Sequence, residues 1–323
     1  MTASLQTVAV TDQQQEPSVF PLVYQATDTD VDAFVNWISD NHQRVLDESA
    51  EHGAILFRGV PITTDQDFDR VVRAFGIDNF TYRESLSNAV RINRTDRVFT
   101  ANEAPPDVSI YLHHEMAQTP IFPGKLFFFC EKAAEELGAT PLCRSDKLYD
   151  ALVRETPGFL ADCERLGVRY SNTMPAEDDA ASGQGRSWRS TLSVEDKAAA
   201  EAKLKDLGYD WVWEADGSLR ATTPVLPAVR TLPSGRKVFF NQLIAAYRGW
   251  QNPDRALSFG DGSPLPSTAM DRVCTLAEEL CFDLAWQTGD VAIVDNYVVM
   301  HGRRPFRGTR RVLVALGAVE SAA

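Results

Sequence analysis

Tyr111-Leu112-His113-His114-Glu115-Met116 is the stretch on which the reading of this chain turns. It follows Pro105-Pro106 and reads as a strand. Residues i and i+2 of a strand face one side, so His113 and Glu115 point together at one metal while His114 points away. No carboxylate lies two positions from His114 on its own face. A third ligand is available far downstream at His301, in Asp295-Asn296-Tyr297-Val298-Val299-Met300-His301-Gly302-Arg303. Histidine is scarce, five in all, and only His113, His114 and His301 lie outside the N-terminal region.

Outward from that stretch the texture is β-rich, with short apolar runs separated by proline, glycine and asparagine from about Val90. Lys125-Leu126-Phe127-Phe128-Phe129-Cys130 is apolar on both faces and predicts a central strand. Gly289 to Asn296 and Arg311 to Leu316 predict two more. Toward the N-terminus, Val31, Phe34, Val35 and Ile38 have helical spacing within Asp30 to Glu51, Ala54 to Phe57 reads as a strand, and Asp65 to Phe75 is again helical. Tyr149 to Leu166 and Val194 to Leu207 have helical character, and Met174 to Ser190 between them reads as a mobile loop. The expected architecture is a β-rich α+β chain with a double-stranded β-helix, or jelly-roll, core. An N-terminal helical flank and a largely helical insertion at about 145–215 complete it. Residues 1–20 form a flexible arm and 21–323 a single domain. Jelly rolls and cupins bind metals inside the barrel mouth, so site and scaffold agree.

Composition narrows the partners. The formal net charge is −13, without the basic footprint that a nucleic-acid backbone requires. No run of about eighteen apolar residues exists to span a membrane. Met1 to Pro17 is polar and glutamine-rich, without the basic start and apolar stretch of a leader. Five cysteines, Cys130, Cys143, Cys163, Cys274 and Cys281, show no C-x-x-C spacing and read as reduced thiols of a cytoplasmic protein.

Two histidines and one carboxylate on one face of an octahedron leave three positions open, the arrangement associated with non-haem Fe(II) oxygenases. Zinc with the same donors would serve a hydrolase, an isomerase or a cupin-like sensor. A buried arginine separates these, because an iron site using 2-oxoglutarate must anchor the far carboxylate of that diacid. A guanidinium pairs with it bidentately and keeps its charge when buried. Arg311, ten residues past His301, is the candidate, with Arg310 on the opposite side of the strand. Thr140 could add a hydroxyl donor, although alone it reads as a turn residue.

These segments resemble the taurine dioxygenase and clavaminate synthase superfamily of Fe(II)/2-oxoglutarate-dependent oxygenases, in its His-x-Glu subgroup. The resemblance rests on Pro105-Pro106 to Met116, Lys125 to Cys130, Gly138 to Pro141, and Gly185-Arg186-Ser187-Trp188. It continues through Val238-Phe239-Phe240-Asn241, Phe259 to Gly262, and Gly289-Asp290 to Arg311, in family order. It implies Fe(II) on His113, Glu115 and His301, 2-oxoglutarate on Thr140 and Arg311, and O2 as oxidant. It further implies that the insertion forms part of a lid. Family members that take a sulfonate carry an arginine four residues past the cosubstrate arginine. That position here is Ala315, which disfavours a sulfonated substrate.

The expected reaction is oxidation of an unactivated C–H bond of a small molecule, most simply hydroxylation of an amino acid or amino-acid derivative, free or tethered to a carrier protein. Desaturation and cyclisation start from the same site. Halogenases of the superfamily place a small residue where Glu115 stands, so halogenation is disfavoured. Asn102, Gln118, Arg186, Trp188, Asn241 and Gln242 are the candidate substrate residues, Arg186 for a substrate carboxylate. The sequence leaves oligomeric state open.

Overall fold

The computed structural model describes residues 3–16, 18–81, 86, 91–101, 104–178, 185–250 and 252–321. Two sheets organise the chain. The larger has seven strands, in the order Ser4–Thr7, Leu22–Thr27, Ala54–Arg58, Val291–Asp295, Ile121–Lys132, Arg311–Ser321 and Phe99–Thr100. The smaller has four, in the order Cys281–Leu284, Thr140–Arg144, Val299–Arg303 and Ile110–His113.

The alternation of side chains along these strands assembles the layers. Leu126, Phe128, Val294, Val312 and Val314 of the large sheet share one buried cluster with Leu142, Phe282, Leu284 and Val299 of the small one. The opposite face of the large sheet, with Phe127, Phe129, Ile293, Leu313 and Ala315, packs on Phe34, Ile38, Phe68 and Val72 of two helices. The small sheet turns Leu112, Cys143 and Met300 toward a second set of helices. Helix, sheet, sheet and helix therefore stack as four layers of a mixed α/β fold. Ile121–Lys132 is apolar on both faces because it is buried on both.

Local signals set the helix ends. The helix Val31–His52 begins where Asp30 accepts from the Ala33 amide and stops at Gly53, whose φ is 82°. The helix Asp65–Ala74 starts at a capping box of Thr64 and Asp67. The helical stretch expected across Tyr149 to Leu166 is two helices, Ser145–Glu155 and Pro157–Leu166, because Pro157 can begin a helix but not continue one.

Two expectations need correction. The N-terminal arm is paired rather than trailing: Ser4–Thr7 forms the outer strand of the large sheet, and Gln14 donates to the Leu280 carbonyl. The insertion is largely helical across 145–215, as expected, but it carries a sheet as well and does not end there. Val168–Met174, Asp210–Trp213, Leu219–Thr222 and Leu257–Phe259 form a second four-stranded sheet, reaching well beyond residue 215. Aromatic Trp211 and Trp213 on a short strand next to Ala-rich Lys197–Asp206 are what the helical reading passed over. Part of the Met174 to Ser190 loop, residues 179–184, lies outside the described residues.

Among the described residues no helix is long and apolar enough to cross a membrane. All five cysteines are free thiols, three of them buried.

Candidate active site

Two neighbouring strands of the small sheet supply the histidines. Val299–Arg303 and Ile110–His113 run antiparallel with His301 directly opposite His113, and their rings lie 4.3 Å apart, centre to centre. Glu115 arrives by a different route from the one its spacing predicts. The strand ends at His113, so simple alternation does not deliver Glu115. A turn does, in which Met116 adopts φ 60° and Asn296 clamps the backbone. Asn296 donates to the Glu115 carbonyl (3.0 Å) and accepts from the Glu115 amide (2.8 Å). Asn296 lies within the Gly289 to Arg311 segment, but nothing in its residue type marked it for this role.

The clamp brings donor atoms of His113, Glu115 and His301 within 4.8 Å of one another. Glu115 Oε2 lies 3.7 Å from His113 Nε2 and 3.5 Å from His301 Nε2. His113 Nδ1 hydrogen-bonds the Tyr111 carbonyl at 2.8 Å, which assigns its proton to Nδ1 and leaves Nε2 a lone pair for a metal. Burial, reinforced by His113, pushes His301 down to about 4, so it is a neutral ligand at neutral pH. Burial alone would raise the Glu115 carboxyl. The charge of Arg91, foremost among the groups around it, outweighs that and holds Glu115 well below the usual range. Two imidazoles and a carboxylate with their donor atoms converging suit a divalent metal. His114 takes no part: it is fully buried, bonded to Ser145 Oγ (2.6 Å) and to the Asn296 carbonyl, and burial lowers it to about 3.

Beside His113, Glu115 and His301 lies a cavity of about 1530 Å³, walled on the large-sheet side by Phe128, Val312 and Val314. Here the structure corrects the arginine assignment. Arg311 points away, is half-exposed and pairs with Glu131 at 2.6 Å. Arg310 lines the cavity. Val312 and Val314 face the inter-sheet core and Leu313 and Ala315 the helices, and Arg310, just ahead of the strand, joins the inward side. Sequence could not choose, because Val312 to Leu316 is apolar on both faces. Arg310 Nε donates to the Gly138 carbonyl (2.9 Å) and a second nitrogen to Thr140 Oγ1 (3.2 Å). Burial, then the nearby charge of Arg303, pushes Arg310 down to about 10, the mark of a desolvated cation that an anion would relieve. Thr140 Oγ1 also accepts from Trp286 Nε1 (2.9 Å), which leaves its own proton to donate elsewhere. Gly138 has φ +75°, and a Cβ there would lie 2.9 Å from Phe306 Cβ and 3.3 Å from Arg310 Cδ.

The substrate candidates separate. Gln118 and Gln242 line the cavity, and Gln118 Oε1 is buried without a hydrogen-bond partner among the described residues. Arg186 lies off the cavity wall and bonds Ser190. Trp188 is 1% exposed and packs edge-on against Trp213, inside the core of the insertion. Asn241 stitches backbone, donating to the Ala228 carbonyl and accepting from the Leu243 amide. Asn102 falls outside the described residues. Arg91, Arg248, Arg255 and Arg303 are on the wall and were not foreseen.

Residues 16–316 match the taurine catabolism dioxygenase TauD, TfdA family. The chain belongs to this family. It is an Fe(II)- and 2-oxoglutarate-dependent dioxygenase, using O2 as co-reactant. It is 42% identical over 271 residues to a clavaminate synthase-like protein of Arabidopsis thaliana, covering 82% of each chain. To the dapdiamide synthesis protein DdaC of Enterobacter agglomerans it is 30% identical over 318 residues, covering 93% of this chain and 91% of that one. An asparagine oxygenase, solved with Fe(II), a 3-hydroxyasparagine and succinate, shares the fold with a TM-score of 0.54 at 12% identity, over 89% of this chain and 83% of that one.

Proposed function

We propose that this dioxygenase hydroxylates an unactivated C–H bond of an amino acid or amino-acid-derived small molecule, with iron on His113, Glu115 and His301. The observation that carries the cosubstrate part is Arg310: a buried guanidinium with no carboxylate partner among the described residues, bonded to Thr140 at the cavity wall. Arg310, in place of Arg311, would receive the far carboxylate of 2-oxoglutarate, with the Thr140 hydroxyl as a further donor. A zinc hydrolase has no use for such a pair. The two facing sheets with the metal ligands at one end are read as the jelly-roll core.

Held by these residues, iron would supply oxygen activation, with 2-oxoglutarate giving up two electrons as it becomes succinate and CO2. The chain's own groups bind, orient and exclude. Phe128, Val312 and Val314 keep water from the reacting face. Glu115 occupies the position a halide would need, which favours hydroxylation, with desaturation or ring closure as alternative products of the same site.

The amino-acid reading draws on the asparagine oxygenase, which shares the fold, and on the cavity's outer wall. Arg248 and Arg255 stand there without an ion pair among the described residues, in a protein of net charge −13. Arg248 lies over the ring of Tyr111 at 5.6 Å, one strand repeat from His113. Arg248 replaces Arg186 as the proposed partner of a substrate carboxylate. Whether that substrate is free or carried by a protein is part of the test. Anaerobic titration of the Fe(II)-loaded protein with 2-oxoglutarate should give a saturable visible charge-transfer band. Amino acids, free and carrier-linked, are then screened for succinate release. Bound iron without the band would sink the cosubstrate assignment, and release by neutral compounds alone would sink the amino-acid one.

A further inference from the structure

Glu115 meets two kinds of partner, one on each oxygen. Oε2 faces Nε2 of both ligand histidines. Oε1 is held by an Arg91 nitrogen at 2.9 Å, in a pair whose side chains are 7% and 6% exposed. The guanidinium holds Oε1, while the oxygen nearest both histidines is Oε2. It is steadied by the Phe99 ring, 5.3 Å beneath it, on a strand that pairs with Arg311–Ser321. Asn296 already fixes the Glu115 backbone, which leaves the carboxylate's own rotation as the freedom Arg91 removes.

We propose that Arg91 is a positioning residue that confines Glu115 to one-oxygen ligation and so keeps a coordination position open. Carboxylates bind metals through one oxygen or two, and a glutamate has the reach to do either. Three protein donors leave three of six octahedral positions. The cosubstrate would need two and dioxygen the third, so a second Glu115 oxygen on the metal would displace one of them. A charge-assisted bond to Oε1 is a direct means of preventing that. The inference rests on the metal assignment proposed above and adds to it a residue 24 positions before Glu115 in a segment without motif character.

Water-proton relaxation of the Mn(II)-loaded protein counts exchangeable waters on the metal without turnover. Arg91→Met should lower the relaxivity by about a third, from three open positions to two. Its dissociation constant for 2-oxoglutarate should rise at least tenfold. Arg91→Lys, which retains a charged donor, should keep both near wild type. Should Arg91→Met fail to fold, Arg91→Gln, too short to span to Oε1, carries the same expectation. Bound Mn(II) with unchanged relaxivity and cosubstrate affinity in these variants overturns the inference alone, as does an Arg91→Lys defect as large as that of Arg91→Met. A wild-type protein that binds no Mn(II) overturns the metal assignment, and this inference with it.

Discussion

Arg310 and Arg311 are neighbours of the same chemistry with opposite surroundings, and that contrast gives a sharp test. Arg310→Ala removes charge-assisted bonds of about 1.5–3 kcal/mol, so 2-oxoglutarate affinity should fall by roughly 10- to 100-fold. Arg311→Ala breaks a half-exposed pair with Glu131 and should leave that affinity within about twofold. Equal losses in the two anaerobic titrations would mean that the inward side of the strand is misassigned. Asn296→Ala keeps all three ligands but frees the Glu115 backbone. Turnover should drop, with metal affinity weakened by roughly 10- to 100-fold as for other supporting groups of ligands. Metal titration checks it, and wild-type affinity would reduce Asn296 to a structural role. At this scale the sequence showed the ligand types plainly, because metals demand particular donors. It hid Arg91, Asn296 and Arg310, because an arginine or asparagine has many uses and only its neighbours select one.

Strands and turns carry the next level. The cross-strand pair His113 and His301, 188 positions apart in the chain, depends on the register between two short strands that the sheet places side by side. The turn at Gly138 serves the cavity through its carbonyl, which accepts from Arg310. Gly138→Ala forces a side chain into φ +75° against Phe306 and Arg310. A loss of about 1–3 kcal/mol of stability is expected, together with weaker 2-oxoglutarate binding. Thermal unfolding and the titration read the two effects separately, and an unaffected titration would detach the turn from the cosubstrate site. Helices with caps and strands with long apolar runs were legible, since those signals are local. The insertion's second sheet was not, because each of its short strands is stabilised by partners distant in sequence.

At the scale of the whole molecule, a buried ion cluster ties distant parts together. Arg144 is fully buried and pairs with Asp146 at 2.6 Å, while Arg144 also donates to Ser18 and Arg236 bonds both Asp146 and the Ala50 carbonyl. Burial would raise the Asp146 carboxyl, but Arg144 and then Arg236 outweigh it and hold it below its ordinary 3.8. A carboxyl lowered on folding stabilises above its unfolded value, and that contribution is lost as pH falls through the folded one. Stability should therefore decline below about pH 4. Asp146→Asn should lower stability at neutral pH and flatten the acid limb of the unfolding curve, and an unchanged limb would remove Asp146 from that role. By itself the sequence determined the family, three candidate metal donors and the alternation of helix and strand, because donor chemistry and hydrophobic periodicity are written in residue types. Tertiary structure decided which arginine faces inward, how Glu115 reaches the histidines and what holds its second oxygen. Those outcomes depend on strand register and on contacts between segments far apart in the chain, which no local pattern encodes.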